Sequence, residues 1–534
     1  MSTHEPPAAF SWLNLRAELT GKQARVLIDG ASGTARRGRV LAIIGPSGAG
    51  KSTLLQALAG RLDRSSKLRL SGTLAPPPSR PGAFVYQEDA FFSRLTVAET
   101  LRFAAALRAA QSTSVADVLA AMGLAEVASS AVGGGKVRGI SGGERKRLAI
   151  GCALLAVDGR APLFADEPTS GLDSFQARRI VEAIGRSARG GDGRAVLLSA
   201  HQPSARLLEC FDDVLLLGAA GRTLFLGPTA ELLPALERAT GATRPPLLSP
   251  AEWALDIASV DPDAAEASKA RVARLALRWR EATAEATARL VEEAPFAPLA
   301  PARQSGWSAQ LGWCLWRSWR QSGGFAAPSL LAMRVVGSVV PGLAFGCIWF
   351  DLPAGRGSLK ARVGLLQVLA NFVGVTAAMK AVRTLQDGEG ACVRRERAAG
   401  ALRLGAYFFG KVAAELPVTL LLPALLACVT HPLAGLACPL PVLVALLALE
   451  AMAASALGLL AGAVAPSLDI GLELTKALTT LSTVFGGLYF DAATLPRPLR
   501  WVPRASIVRV AWDGAVAGEL AGLGGEEEEL GVEG

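Results

Sequence analysis

The sequence lacks closely spaced cysteines, basic runs rich in aromatics and an apolar targeting segment at its start. Its seven cysteines form no CxxC pair and no zinc-type spacing, so free thiols are expected instead of a disulfide framework or a zinc site. The net charge is +9, but Lys and Arg are scattered, which argues against a nucleic-acid partner and favours a basic surface beside anionic lipid. Residues 1–7 resemble neither a signal peptide nor a transit peptide, so membrane insertion is expected to use later segments.

Hydrophobic residues are abundant and unevenly distributed. They make up 51% of the 534 residues, and the mean hydropathy of +0.34 is high for a soluble protein. Up to about residue 320 they alternate with charges, whereas long apolar runs with few charges follow Ala327. The sequence therefore predicts a soluble N-terminal part followed by a part that lies in a bilayer.

The soluble part has the pattern of an α/β domain. The short apolar runs Val40–Ile44 and Leu163–Ala165 each end at a Gly or an Asp and are followed by a helical pattern, as buried parallel strands are. Between residues 261 and 293 apolar residues recur at helical spacing among Ala, Arg and Glu, which predicts an amphipathic helix packed on this domain. Ligand-binding motifs are expected at the carboxyl ends of the strands.

A phosphate-binding loop follows the first of these runs. The segment Gly45-Pro-Ser-Gly-Ala-Gly-Lys-Ser52 fits the spacing G-x-x-x-x-G-K-[ST], and a chance Gly-rich turn would lack the strand before it and the helix after it. The glycines let backbone N–H groups surround phosphates, Lys51 reaches the β- and γ-oxygens, and the Ser52 hydroxyl ligates Mg²⁺. The nucleotide-binding residues predicted here are Gly45, Ser47, Gly48, Gly50, Lys51, Ser52 and Thr53.

Asp166 and Glu167 are adjacent carboxylates at the end of the second run. Two such groups repel each other and are a poor choice for structure alone, but they suit a hydrolytic site. We assign Asp166 to the metal, and Glu167 to the attacking water as the catalytic base.

A second anion site is predicted where Ser141, Gly142, Gly143 and Glu144 begin a helix. A lone Ser-Gly-Gly is usually only a helix cap, so this signal depends on its order among the other motifs. The surrounding segment, Val137-Arg-Gly-Ile-Ser-Gly-Gly-Glu-Arg-Lys-Arg147, contains ISGGE, a variant of the LSGGQ signature of ABC ATPases.

Two single residues resemble further parts of the same ATPases. Gln87, in Phe84-Val-Tyr-Gln-Glu-Asp-Ala90, is similar to the Q-loop glutamine, which reaches Mg²⁺ and faces the membrane domain. His201 is one of only three histidines and is similar to the switch histidine, which contacts the γ-phosphate. A lone histidine is more often structural, but the order of five motifs favours the catalytic role here.

The full set resembles the G subfamily of ABC transporters, the white–brown complex group, from about residue 36 to about residue 520. Further marks are Pro168-Thr-Ser-Gly-Leu-Asp-Ser174, Ser249-Pro-Ala-Glu-Trp253, Arg395-Glu-Arg397 and Glu415-Leu-Pro417. The resemblance implies ATP and Mg²⁺ as cofactors and ATP-driven export of a hydrophobic or amphipathic substrate. It also implies a second half-transporter as partner, in a homodimer or a heterodimer, because residues 141–143 of one copy close over the phosphate loop of the other.

The chain is predicted to hold an α/β ATPase domain followed by an all-α polytopic membrane domain. The connection 383–411 is rich in Arg and Lys whereas 431–440 has neither, so the positive-inside rule puts the first, and with it the ATPase domain, in the cytosol. The membrane is expected to be the plasma membrane or, alternatively, that of an organelle. The predicted spans are 327–350, 363–382, 412–430, 441–465 and 468–490. The predicted segments are the nucleotide-binding domain 1–260, a helical and Pro-rich linker 261–305, an interfacial connecting helix 306–326, the transmembrane domain 327–490, and an external re-entrant segment with an acidic tail 491–534.

Two features depart from the family pattern. No aromatic is a clear adenine-stacking residue, although Trp12 and Phe10 are candidates, and no sixth span follows residue 490, so the chain is expected to end outside the cytosol. Two alternatives are kept: a truncated subunit that regulates a full-length partner without transporting, and a soluble ABC ATPase, which the predicted spans disfavour. The charges within predicted spans, Arg334, Glu415 and Glu450, fit either a structural ion pair or a role in the translocation path.

Overall fold

The computed structural model forms two compact units, which are described one by one. The first comprises Met1–Gln310 with Arg394–Leu404, and the second comprises Leu311–Val393 with Gly405–Gly534. The structure describes residues 8–529 except for 22–23, 63–67, 76–82, 109–113, 135–136, 157–160, 191–192, 294–303, 323–327, 354–355, 387–388, 490–494, 497 and 499. The prolines of the predicted linker, at 295, 298 and 301, lie outside these residues.

The first unit contains two β-sheets. The smaller is antiparallel with the order β2-β1-β4, and the larger has the order β5-β6-β7-β3-β8-β9, parallel except for β9 at its edge. The strands are β1 Ala8–Leu19, β2 Arg25–Arg36, β3 Val40–Ile44, β4 Leu68–Ala75, β5 Ala83–Val85, β6 Leu163–Ala165, β7 Val196–Ser199, β8 Asp213–Leu217 and β9 Thr223–Pro228.

The parallel strands are almost entirely apolar because both of their faces are covered. All five residues of β3 are buried, with Val40, Ala42 and Ile44 in one hydrophobic cluster and Leu41 and Ile43 in the other. Side chains alternate between the faces of a strand, so a continuous apolar run serves two cores at once. The predicted α/β domain is confirmed, and its parallel strands end at one edge of the sheet.

Helices cover the larger sheet of the first unit. Three of them begin with a capping box, in which a Ser or Thr and a Glu three residues later satisfy each other's backbone N–H groups. The amphipathic helix predicted for 261–293 is α9, which packs on β1, β2 and β9. The helices are α1 Lys51–Leu58, α2 Val97–Ala106, α3 Val115–Ala121, α4 Gly142–Leu155, α5 Ser174–Arg189, α6 Ala205–Leu208, α7 Leu232–Thr240, α8 Pro250–Ala258 and α9 Ala265–Glu293.

The helical part of the chain begins with α10 and continues through the second unit. The helix α13 begins in the second unit and ends in the first, because the units divide between Val393 and Arg394. The helices are α10 Trp307–Gln321, α11 Pro328–Ile348, α12 Leu359–Gln386, α13 Glu389–Ala398, α14 Leu404–Ala434, α15 Leu440–Val464, α16 Leu468–Val484 and α17 Ile507–Glu529.

Four helices in the described part of the chain are long and apolar enough to cross a membrane, whereas the sequence predicted five. They contain Leu331–Ile348, Leu359–Leu385, Leu404–Ala434 and Leu440–Val464. The fifth predicted span corresponds to α16, which has 17 residues and carries charges, and a span needs about 20 predominantly apolar residues. A C-terminus outside the cytosol requires an odd number of spans, and the four candidate helices do not give one.

The segment after α16 also differs from its sequence prediction. In place of a re-entrant segment and a low-complexity tail, most of it forms the 23-residue helix α17, which packs against α12, α15 and α16. Arg509, Asp513 and Glu519 interrupt the apolar sequence of this helix. The first two pair with each other at 3.3 Å near the surface, and Glu519 is fully buried.

Glu519 forms a buried ion pair with Arg362 of α12. The Arg362 Nη1 to Glu519 Oε1 distance is 2.5 Å, and both side chains are 2% exposed or less. The other carboxylate contacts are backbone N–H groups of Ala437 and Cys438, at 3.0 and 2.8 Å. Arg362 also donates to the carbonyls of residues 352, 353 and 435. The pair therefore joins α17 to the two loops that precede α12 and α15.

We predict that Glu519→Gln destabilises the second unit by about 3–5 kcal/mol, the usual cost of leaving one charge of a buried pair without its partner. The change is isosteric, so it removes charge without creating a cavity. It is measured as a loss of thermal stability of the purified chain in lipid nanodiscs.

The matched control is Asp513→Asn, which breaks an exposed pair in the same helix and is expected to cost about 1 kcal/mol or less. Equal losses of stability in the two variants would contradict the larger stabilising contribution that we assign to the buried pair.

Candidate nucleotide-binding and hydrolysis site

The loop between β3 and α1 has the geometry of a phosphate cradle. A Cβ atom at Gly45 would lie 2.5 Å from the carbonyl oxygen of Leu217, and Gly50 has a φ of +89° with its Cβ position 2.5 Å from the carbonyl oxygen of Leu27. Only glycine is free of strain at both positions. The predicted residues Ser47 and Gly48 are exposed at the tip of the loop. The loop therefore leads its backbone N–H groups to the start of α1, where a helix favours anions.

Lys51 lies over this loop. Its side chain is buried, and its Nζ donates to the carbonyls of Gly45 at 2.8 Å and Pro46 at 3.1 Å. Burial lowers the pKa of Lys51, while the nearby carboxylates of Glu167 and Asp166 oppose that shift. The ammonium group is thus directed at the loop, where it would meet phosphate oxygens.

Two of the predicted metal ligands, Ser52 and Asp166, lie within hydrogen-bond distance of each other. Ser52 Oγ donates to Asp166 Oδ1 at 2.9 Å, joining α1 to the end of β6. Hydroxyl and carboxylate oxygens at this separation suit Mg²⁺, which takes few protein ligands and completes its shell with water and phosphate. The residues that the structure describes contain no group of three or more His, Cys, Asp or Glu that would hold a metal by themselves.

Glu167 occupies a strained backbone conformation. Its φ is +43°, in the left-handed region that non-glycine residues seldom adopt, and its N–H donates to Ser199 Oγ at 2.8 Å. Gln87 Nε2 donates to Glu167 Oε2 at 3.0 Å. Three separate segments therefore place Ser52, Gln87, Asp166 and Glu167 at one edge of the sheet.

His201 follows β7 by two residues, and β7 pairs in parallel with β6, which leads to Glu167. The histidine is exposed, and no hydrogen bond joins it to the other predicted site residues within the described chain. It therefore shares their edge of the sheet without a described hydrogen bond to them.

The predicted second anion site forms the start of α4. Ser141 is the N-cap, and its backbone N–H donates to Glu144 Oε2 at 2.8 Å while Glu144 N–H donates to Ser141 Oγ at 3.3 Å. The hydrogen bonds that Ser141 donates to this carboxylate, from its N–H and from Oγ, hold the pKa of Glu144 below its usual value. No atom lies within 4 Å of a Cβ at Gly142, whereas Gly143 approaches Gln176. None of the described hydrogen bonds joins this helix start to the phosphate loop.

Sequence reasoning missed Ser199. This fully buried residue donates from Oγ to Asp166 Oδ1 at 2.6 Å and accepts from the N–H of Glu167, so it holds the carboxylate of Asp166 and the backbone of Glu167. The sequence offered one signal for it. Ser199 is a hydroxyl residue at the end of a strand, two positions before His201, at the edge of the sheet where the carboxylates were expected.

Sequence reasoning also missed the contacts that hold the segment of Gln87. Lys146 of α4 is 4% exposed, and its Nζ donates to the carbonyls of Tyr86 at 3.2 Å and Gln87 at 2.8 Å and pairs with Asp89 at 3.2 Å. Burial raises the pKa of Asp89, and Lys146 opposes that rise. The helix α4 is therefore tied to the segment of Gln87 by one buried cation.

Arg395 holds the same segment from another side. Its guanidinium carbon lies 4.5 Å from the ring centroid of Tyr86, and its Nη1 donates to the carbonyl of Glu88 at 2.7 Å. Arg61 approaches the same ring at 5.7 Å and donates to the Tyr86 hydroxyl at 2.9 Å. Tyr86 thus contacts two cations.

The two candidates for adenine stacking belong to the core. Trp12 is fully buried and Phe10 is 7% exposed, and their rings pack against each other at 5.8 Å. Gly33 packs against the Trp12 ring from β2. Neither aromatic offers an open face to a base.

Comparison with known proteins matches the N-terminal and C-terminal parts of the chain to two different family models. Residues 28–170 match the family model described as ABC transporter, and residues 309–520 match the one described as ABC-2 type transporter. ABC transporter G family member 7 of Arabidopsis thaliana is 37% identical over 97% of this chain and 74% of its own. ABC transporter G family member 25 of the same plant is 31% identical over 92% and 77%, and Protein white of Drosophila melanogaster is 29% identical over 93% and 76%.

We predict that Ser199→Ala lowers ATP hydrolysis and raises the Mg²⁺ concentration needed for half-maximal rate, by about 10- to 100-fold as for other outer-shell partners of a metal site. The alanine removes a bond to Asp166 and releases the strained backbone of Glu167. Hydrolysis is measured across a Mg²⁺ titration.

Ser259→Ala is the control, because that hydroxyl donates only to the Leu255 carbonyl of its own helix. An unchanged Mg²⁺ dependence in Ser199→Ala would remove Ser199 from the positioning of the site.

Proposed function

We propose that this chain exports a hydrophobic or amphipathic substrate as a dimer of half-transporters. The chain belongs to the ABC transporter G family and is an integral membrane protein that couples ATP hydrolysis to transport. The main support for a dimer is that the predicted nucleotide-binding residues lie in two separate places within one chain. The phosphate loop, Asp166 and Glu167 gather at one edge of the sheet, while the capped start of α4 has an open face at Gly142 and no described bond to that edge. A second chain can supply the missing half to each site.

Each composite site would work through residues at fixed positions. The backbone of residues 45–53 and Lys51 hold the phosphates of ATP, and Ser141–Gly143 of the second copy close over the γ-phosphate. Mg²⁺, when bound by Ser52, Gln87 and Asp166, neutralises negative charge on the phosphates. Glu167 accepts the proton of the attacking water, while Gln87 donates to its carboxylate and Ser199 holds its backbone N–H.

The Q-loop is the proposed route from hydrolysis to the membrane domain. Gln87 contacts Glu167, and the residues on either side of it are held by Lys146 of α4 and by Arg395. Arg395 belongs to α13, whose first half lies in the second unit. A shift of Gln87 on hydrolysis would therefore be passed along one continuous helix, as a population shift between inward and outward states.

The orientation follows from charge. The connection that contains α13 is rich in Arg, which favours the cytosol for it and for the ATPase domain. The plasma membrane is the preferred location, with an organelle membrane as the alternative.

We predict that Glu167→Gln binds ATP with unchanged affinity but loses hydrolysis by about 100-fold or more, because the amide cannot accept a proton while the cradle stays intact. Lys51→Ala should instead weaken nucleotide binding. The two properties are measured separately, as nucleotide binding at equilibrium and as phosphate release by the chain in lipid nanodiscs.

Turnover near the wild-type rate in Glu167→Gln would remove Glu167 from the role of base. Unidirectional, ATP-dependent accumulation of a lipophile in vesicles, abolished in the same variant, tests export itself. A chain that hydrolyses ATP without any such transport would favour the regulatory subunit.

The dimer is tested by mixing two inactive chains. Lys51→Ala damages the phosphate loop, and Gly142→Asp places a negative charge at the start of α4, in a position where a Cβ meets no other atom. Each variant alone should be inactive, whereas a mixture should regain one intact site in each mixed dimer. No recovery despite proven pairing would contradict the shared site.

A further inference from the structure

The carboxyl group of Glu450 has no partner in the part of the chain that the structure describes. Its side chain is 3% exposed, and neither of its two oxygens makes a hydrogen bond there. The large majority of buried polar side-chain atoms in proteins are hydrogen-bonded, so a carboxyl group with both oxygens unmatched requires an explanation. An ion pair was one of the two roles expected for this residue, and the described residues do not provide it.

Glu450 lies in the middle of the span α15. It is the eleventh of the 25 residues of that helix, about 15 Å along the helix axis from Leu440. It is also the only charged residue of α15. At that depth the carboxyl group is far from both aqueous surfaces, and a carboxylate without a partner would be costly there.

Small and apolar residues surround this carboxyl group. A Cβ atom at Gly374 of α12 would lie 3.1 Å from Glu450 Oε1 and 3.7 Å from a methyl group of Val508 of α17. On α15 itself, the neighbours at helical spacing include Leu447 and Ala454, and both are buried. Three helices therefore meet where α12 has no side chain, and the carboxyl group of Glu450 lies beside that gap.

No charged group acts on Glu450 from the described residues of the surrounding helices. The helices α12, α16 and α17 pack against α15, and α11 and α14 line a cavity with it. The charged or titratable groups described on these helices are Arg334 and Cys347 on α11; Lys360, Arg362, Lys380 and Arg383 on α12; Tyr407, Lys411, Glu415, Cys428 and His431 on α14; Asp469, Glu473 and Lys476 on α16; and Arg509, Asp513 and Glu519 on α17. None of them neutralises the Glu450 carboxylate.

A metal cation does not fit this position. Ca²⁺ takes about six to eight oxygen ligands and Mg²⁺ needs an octahedral shell, whereas the side chains that approach Glu450 from α12 and α17 offer no oxygen. The described residues also contain no group of three or more His, Cys, Asp or Glu that could hold a metal. A proton needs no ligand besides the carboxylate and removes its charge, so it is the cation that these surroundings accept.

We propose that Glu450 is a proton-binding site, and that its proton stabilises the packing of α12, α15 and α17. Binding transfers one proton from the aqueous phase to the carboxylate, which forms the neutral carboxylic acid and changes no other bond. A packing that admits water to Glu450 favours the ionised form, because water then solvates the charge. Protonation and packing are therefore linked. The site needs neither ATP nor a second chain, so it is independent of the proposed export function.

The protonation state is measured by infrared difference spectroscopy on the full chain in phosphatidylcholine nanodiscs, at neutral pH and without nucleotide. A carboxylic acid and a carboxylate absorb at different frequencies. The spectrum of the wild type minus that of Glu450→Gln should therefore contain the carbonyl band of one protonated carboxyl group. Carboxylate bands in its place would overturn the proposal.

Glu473→Gln is the matched control for this measurement. Glu473 of α16 is exposed and pairs with Lys476 at 2.6 Å, so its difference spectrum should show carboxylate bands. The two glutamates then differ in their surroundings and not in the substitution.

The link to packing is measured as the thermal stability of the same samples from neutral to alkaline pH. As the pH rises, the ratio of unfolded to folded wild type should increase relative to that of Glu450→Gln, by up to about tenfold per pH unit for one proton. The physical reason is that the wild type loses a proton that the glutamine does not carry. Glu450→Met has a similar length and no polar group, and it should lack the same pH dependence even if the amide of glutamine disturbs the bundle. Equal pH dependence in the wild type and both variants would overturn the link between this proton and the packing.

Discussion

Buried charge costs free energy unless hydrogen bonds or an opposite charge match it, and this constraint organises the candidate site of the first unit. In the first unit, Asp166 would be an isolated buried carboxylate at the end of β6 if Ser52 and Ser199 did not donate to it. In satisfying it, the two hydroxyls bring α1 and β7 to the same point. The hydrolysis site is therefore assembled by the same bonds that make the buried carboxylate tolerable.

The same constraint explains how the segment of Gln87, residues 86–89, is fixed in position. Lys146 is buried, and its three donor positions go to two carbonyls and one carboxylate of residues 86–89. The segment cannot move without leaving that cation without partners, which makes movement costly and gives it defined positions. Arg395 contacts the neighbouring ring and carbonyl, so α13 is coupled to those positions.

Several features were predictable from the sequence because their signals are local. The phosphate loop, the strand before it and the capped start of α4 each depend on residues within a single turn of one another. The span count was less secure, because hydropathy weighs each residue by type and takes no account of its partners. Glu519 counted against a helix in the bundle, yet a residue 157 positions away neutralises it. The 468–490 run was apolar enough to suggest a span, but its helix ends at Val484.

The sequence by itself determined the order of the groups along this protein: a Gly-rich phosphate loop, a capped Ser-Gly-Gly helix start, a pair of adjacent carboxylates and apolar spans. Each of these is a property of residue type at short spacing. Only the tertiary structure decided which side chains hold those groups, since Ser199, Lys146 and Arg395 act on residues 32 to 307 positions away. It also decided which buried charges are neutralised, because an ion pair between distant helices has no signature in either helix alone.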